Sequence, residues 1–379
     1  MTTNKFLLGL AGAACLLSTT TFAQTAEDLP SVVTWSAYGP GSSGHAQAVA
    51  MGAALQNNLG TTLRILPGQN DVSRMVPLRD DRVMFSAAGI ASFFAQEGLN
   101  DFGTPNWGPQ PVRLLLASSP NHNQGIAATE ESGIENVADL AGKRVAAVVG
   151  APAINNGIEA ILAFAELSWE DVERVDYPGY SASWDGMNSG QVDAAWGATT
   201  ISGAYQLENS SRGIHWLPVP HDNDAGWERI QSLMPHIFRH NATEGAGISE
   251  EEPHEGTNYP YPILITYADQ DPMLVQSMTE ALIQTFPDYQ DAAPGADGWA
   301  LDKQPLGWIM PFHEGAVAAL RGAGVWSEEY EQHNQALIDR QDELAEAWQR
   351  LQEQGLEGDE LTEAWERERA NIPLPPSIQ

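Results

Sequence analysis

The sequence predicts an α/β protein of two lobes, each a mixed sheet flanked by helices, with a C-terminal helical extension. Three observations lead there. The 379 residues are more than one hydrophobic core usually holds. Short apolar strand-like runs alternate with helical stretches along most of the chain. Beyond residue 326 the pattern changes to a charged helix with leucines seven apart.

The elements follow in chain order. Lys5 precedes an apolar run from Phe6 to Leu17, and Thr21-Phe22-Ala23 supplies a small-x-small site, so residues 1–23 read as an export signal cut after Ala23. The run is too short to span a bilayer. Cleavage would remove Cys15, the only cysteine, and leave a periplasmic chain without disulfide or thiolate. A strand "SVVTW" (31–35) leads through the loop "YGPGSSGH" (38–45) to a helix over 45–55, which places Ala46, Val49, Ala50 and Ala53 on one face. Strands follow at 63–66, 82–88 and 112–118, with a helix at 90–97 before the last. "ASSPNHN" (117–123) has the composition of a hinge. Strands at 144–150, 172–177 and 192–197 and a helix near 157–167 continue the rhythm. It breaks into Pro, Gly, His and acidic residues over 209–262, then resumes with a strand at 261–268 and a helix at 272–285. The predicted organisation is therefore lobe 1 at 24–118, lobe 2 at 119–215, a returning part of lobe 1 with an irregular insertion at 216–326, and the extension at 327–379.

Charge and composition narrow the function. Fifty acidic residues against 18 basic ones give a net charge of −32, which excludes a nucleic-acid partner. With 42% hydrophobic residues and 12 tryptophans the chain has a large core beneath an acidic skin, as adaptation to salt would produce.

Gly39-Pro40-Gly41-Ser42-Ser43-Gly44 matches the G-x-G-x-x-G dinucleotide fingerprint, but the second strand ends "RILPGQ" (64–69) without the ribose-binding acid, and Pro40 stiffens the loop. What remains is a small-residue loop opening a helix, whose free N–H groups suit an anion. "GAPAINN" (150–156) is a second such loop, in the other lobe. No nucleophile elbow or phosphate loop is present, and the His313-Glu314 pair lacks the second histidine of a zinc site. The sequence therefore predicts no catalytic residue, no metal and no cofactor. A hydrolase on an α/β fold, or a receptor for a non-anionic solute, stays as the alternative.

The order "LPGQNDVSRMVPL", "MFSAAGIASFFA", "IENVADLAGKRVAAVVGAPAINNGIEAIL", "MNSGQVDAAWGATT" and "MPFHEGAVAALRGAGVW" (310–326) resembles the TAXI family, the extracytoplasmic receptors of TRAP transporters. The resemblance implies a two-lobe periplasmic binding protein of type II-like form that closes on a small organic anion, a carboxylate or an amino acid such as glutamate or 2-oxoglutarate, and delivers it to a TRAP permease. It implies no enzymatic activity. Carried over position by position, it places Gly41, Ser42, Ser43 and His45 in the first loop with Tyr38 as an aromatic wall, and Gln69 and Asn70 after the second strand. Ser86 and Ala87 follow the third strand, Pro152, Asn155 and Asn156 the second-lobe loop, and Trp196 and Thr199 the end of "VDAAWGATT". Any of Arg64, Arg74 and Arg113 could grip a carboxylate, and the sequence does not choose among them. Leu337, Leu344 and Leu351 with Trp348 leave two readings for the extension: docking across the back of the lobes, or a homodimer contact.

Overall fold

A computed structural model describes residues 29–378; the expected signal, its cleavage site and Cys15 lie outside the described residues. The chain runs β1 (Val32–Tyr38), α1 (Ser43–Leu59), β2 (Thr62–Gly68), α2 (Asp71–Arg79), β3 (Phe85–Ala88), α3 (Ala91–Glu97) and β4 (Val112–Ala117) in a first lobe. It crosses to β5 (Gln124–Ala128), β6 (Arg144–Val148), α4 (Pro152–Phe164), β7 (Glu173–Tyr177), α5 (Tyr180–Asn188), β8 (Ala194–Ala198), α6 (Ser202–Glu208) and β9 (His215–Trp216). Helix α7 (Asp224–Leu233) and the hairpin β10 (Phe238–Ala242) and β11 (His254–Asn258) come next, then β12 (Ile263–Tyr267), α8 (Pro272–Tyr289) and α9 (Glu314–Gly322). Helices α10 (Glu328–Glu353) and α11 (Gly358–Ala370) end the fold.

Two five-stranded sheets result, in the orders β2-β1-β3-β12-β4 and β7-β6-β8-β5-β9. Each is mixed in the same way. Parallel neighbours (β1 with β2 and β3; β6 with β7 and β8) are joined by crossover helices, and one antiparallel strand enters from the other lobe: β12 in the first sheet, β5 in the second. This is the two-lobed binding-protein architecture expected, with helices flanking both sheets. Strand β4 is buried along its whole length between β12 and the helices, in keeping with a sequence apolar at every position but Arg113.

The stretch after β9 stays with the second lobe. Val219 N donates to Glu255 O at 3.0 Å, and Thr257 donates to Gln124 O in β5, so the hairpin packs on that sheet. The chain rejoins the first sheet only with β12, and we place the second crossing at residues 258–262, downstream of residue 216. The two crossings lie side by side: Ser118 N donates to Pro262 O and Tyr261 N to Ser118 O, both at 2.8 Å.

The C-terminal helices form a hairpin on the first lobe. Leu337, Leu344, Leu351 and Trp348 are all buried, and Trp348 meets Trp365 edge to face at 5.0 Å. The leucine seam therefore packs inside its own chain and is not an open face for a second copy. Beneath it Glu97, the last residue of α3, is wholly buried and gripped in bidentate fashion by Arg340 at 2.5 and 2.7 Å, with Arg369 at 3.2 Å. Arg113 is held here too, bonded to Gln341 of α10, and burial pulls its pKa down to about 10.

Candidate functional site

The lobes meet at the carboxyl ends of their parallel strands. Asn70 Nδ2 donates to Val149 O (3.0 Å), Val72 N to Gly150 O (3.2 Å), Tyr180 N to Gln69 O (3.0 Å) and Ser202 N to Gly41 O (3.2 Å). Ser43 Oγ lies 3.1 Å from Thr200 Oγ1. Gly41 has φ +99° and Gly150 φ +67°, left-handed conformations that a Cβ would strain. The small-residue loops thus bring two backbones within hydrogen-bond reach of each other.

Between them lies a cavity of about 20 Å³, room for one water-sized sphere. Its lining includes five aromatic rings, Tyr38, Tyr180, Trp196, Tyr259 and Tyr261, and one ion pair, Asp71 with Arg74. The pair comes from the first turn of α2. Asn70 caps that helix by accepting from Ser73 N, which puts Asp71 and Arg74, three apart, on one face. Their side chains are 0% and 2% exposed.

Every oxygen of Asp71 is engaged. Tyr38 Oη donates to Oδ1, Arg74 Nη2 donates to the same oxygen at 2.8 Å, and Ala153 N, at the start of α4 in the other lobe, donates to Oδ2 at 3.0 Å. Arg74 Nη1 donates to Ala87 O at 3.2 Å, and the guanidinium lies 3.9 Å from the centre of the Tyr38 ring. Its Nε–H is buried without a partner. Burial first, and then the Asp71 carboxylate, push the Tyr38 hydroxyl well above its ordinary range, so it stays protonated and serves as donor. Removing one member of so buried a pair typically costs about 3–5 kcal/mol, because the other charge is left without compensation.

The sequence-predicted residues fall into three groups. Tyr38 and Trp196 line the cavity. Gly41, Ser43, Gln69 and Asn70 form the lobe-to-lobe contacts, while Ala87 supplies the carbonyl that holds Arg74 and Pro152 opens α4 beside Ala153. The remaining residues serve local structure. Ser42 caps α1 by accepting from His45 N, Ser86 is buried 2.8 Å from Ser36 Oγ, and Asn155 has its amide on both the N–H and C=O of Val148. Thr199 Oγ1 donates to Glu244 O, and His45 and Asn156 are partly exposed outside the cavity lining. Of the three arginines only Arg74 reaches the cavity.

A protein-family model described as the NMT1-like family matches residues 88–324. The chain belongs to the NMT1-like family. No curated protein matches its sequence. Among solved structures this NMT1-like chain is similar to an ancestral arginine-binding protein bound to arginine, at 14% identity over 72% of this chain and 99% of that one, TM-score 0.43. It is also similar to the alkanesulfonate-binding protein SsuA from Xanthomonas axonopodis pv. citri bound to MOPS, at 15% identity over 80% and 94%, TM-score 0.42. The periplasmic aliphatic sulphonate binding protein SsuA from Escherichia coli shows 16% identity over 82% and 87%, TM-score 0.41.

The NMT1-like chain's cavity holds residues that sequence reasoning passed over: Asp71, Gln124, Tyr180, Tyr259 and Tyr261. Only Asp71 left a signal, as an acid three residues before an arginine on a helix whose same face carries Met75 and Leu78. Among the described residues no cluster of histidine, aspartate or glutamate is placed to hold a metal, and His313 Nδ1 instead caps α9 through Gly315 N. No described helix is long and apolar enough to cross a membrane.

Proposed function

We propose that this protein is an extracytoplasmic solute receptor that closes its lobes on a small carboxylate-bearing solute and hands it to a membrane permease. The observation that carries the reading is Arg74. It is a buried guanidinium with an unpartnered Nε–H, in an aromatic cavity walled by both lobes. Asp71 ties that arginine to the helix start of the opposite lobe through Ala153 N, so a solute binding there touches the groups that hold the lobes together. The cavity is water-sized, so the lobes open about the paired crossings to let a solute enter and then close over it. The motif order of the TAXI receptors supports a TRAP-type permease as the partner and the periplasm as the compartment. The chemistry is binding without turnover.

A thermal-shift screen over organic acids, amino acids, zwitterions and sugars tests the reading, since a solute at about 100 times its dissociation constant stabilises by about 2.7 kcal/mol. Small-angle scattering with a hit should show a smaller radius of gyration for the solute-bound than for the solute-free protein. Carboxylate-bearing hits whose shift is lost in Arg74→Gln support the assignment; hits confined to sugars, or shifts that survive in Arg74→Gln, overturn it.

A further inference from the structure

We propose that the solute is a compact zwitterion, a carboxylate only a bond or two from an alkylated ammonium, rather than a dicarboxylate or a simple amino acid. This rests on the receptor reading above and narrows its solute class.

Charge comes first. Among the described residues lining the cavity, Arg74 is the one cation and Asp71 the one anion, 2.8 Å apart. A neutral pair suits a neutral zwitterion whose own charges are equally close, whereas a dicarboxylate would bring two negative charges to a site with no second cation. Next come the donors and acceptors. Arg74, which lines the cavity, has its Nε–H buried without a partner, a donor left over for a carboxylate once the lobes open. On the anionic side Asp71 already accepts from Tyr38, Arg74 and Ala153 N. A primary ammonium carries three N–H groups that each need an acceptor. A fully alkylated ammonium needs none and is held by ring faces near a negative charge. Aromatic rings make up much of the cavity lining, with Tyr38, Tyr259 and Tyr261 from the first lobe and its crossing segment and Tyr180 and Trp196 from the second. Tyr38 already carries one cation, the Arg74 guanidinium, over its ring.

Isothermal titration calorimetry on the full chain, at one fixed salt concentration, compares trimethylglycine, glycine, glutamate and 2-oxoglutarate. Trimethylglycine is expected to bind at least about tenfold tighter than glycine, with the two dicarboxylates weaker still. Trp196→Leu should lower trimethylglycine affinity by a larger factor than glycine's. Glycine binding as tightly as trimethylglycine, or a dicarboxylate binding tightest, overturns the solute class while leaving the receptor reading intact. If none of the four binds but another solute shifts the melting temperature, the class is again wrong and the receptor stands. If no solute shifts it, the receptor reading falls as well.

Discussion

Replacing Glu97 by glutamine is expected to destabilise the first lobe by about 3 kcal/mol or more. The carboxylate is wholly buried and Arg340 is 4% exposed, so the Arg340 charge has no water to turn to when its partner becomes neutral. A glutamine keeps one acceptor oxygen, but its NH2 group faces a guanidinium that also donates, and one of the two contacts at 2.5 and 2.7 Å is lost. Arg369, about one third exposed, can swing into solvent and adds little. Urea unfolding followed by tryptophan fluorescence reads the change directly, because Trp365 donates to Glu97 O at 3.0 Å and packs edge to face with Trp348. The charge explanation makes a second demand. Glu97→Met combined with Arg340→Met should recover most of the loss, since a buried pair replaced by apolar groups of similar volume is often neutral. A single-variant loss below about 1 kcal/mol, or a double variant worse than the single one, refutes the reasoning.

Three further outcomes are expected. Gly108→Ala should loosen the C-terminal hairpin, because Gly108 has φ +68° and a Cβ there would collide with the Trp348 indole; limited proteolysis releasing the hairpin no faster than in the parent would count against this. Acid should destabilise the fold through His236 and His122, both pulled down to about 3, His236 by burial and His122 by burial first and then His240. The unfolded chain takes up those protons near pH 6.5 and the folded one only near 3, so stability is complete above about 6.5 and falls by up to about 1 kcal/mol per pH unit for each histidine as pH drops through that window. His236→Phe should flatten the slope, and an unchanged slope in urea midpoints against pH would remove His236 from the account. Finally, the melting temperature should rise as salt goes from about 0.01 M to about 1 M, because the screening length shrinks from about 30 Å to about 3 Å around a body of charge −32; a flat salt series would contradict it.

The strands with β-branched or continuous apolar runs were legible. "SVVTW" and "RVAAVVG" fall on the parallel strands β1 and β6, and "VRLLLAS" and "YPILITYA" on the antiparallel pair β4 and β12, because largely buried strands carry a mostly apolar signature in either kind of pairing. Strand β5, "QGIAA", was missed: small residues between a glutamine and a threonine carry no strand pattern, and its place is set by pairing with β8 across Gln124 to Ala128. The hairpin β10 and β11 was hidden for the same reason in a polar stretch. At the site, the loops were found but their role changed. The first loop meets the other lobe through the Gly41 carbonyl, which accepts from Ser202 N, and through the Ser43 hydroxyl beside Thr200 Oγ1, and the start of α4 holds Asp71 from the facing lobe. Tyr180, Tyr259 and Tyr261 come from separate segments that only the tertiary fold brings together.

The two crossing segments, bonded to each other through Ser118 and the Tyr261-Pro262 backbone, set what kind of joint this molecule has. A single strand between two bodies is a ball joint, free to twist as well as bend. Two strands laced together behave like a door hinge with one soft axis across them, and shearing them past each other would break both 2.8 Å bonds. A swing about that axis would keep the lobes in one plane and bring them back to the same register, with Asn70 against Val149 and Gln69 against Tyr180. Tyr261 sits in that hinge and in the cavity wall at once, which makes the axle of the door one of the surfaces a solute touches.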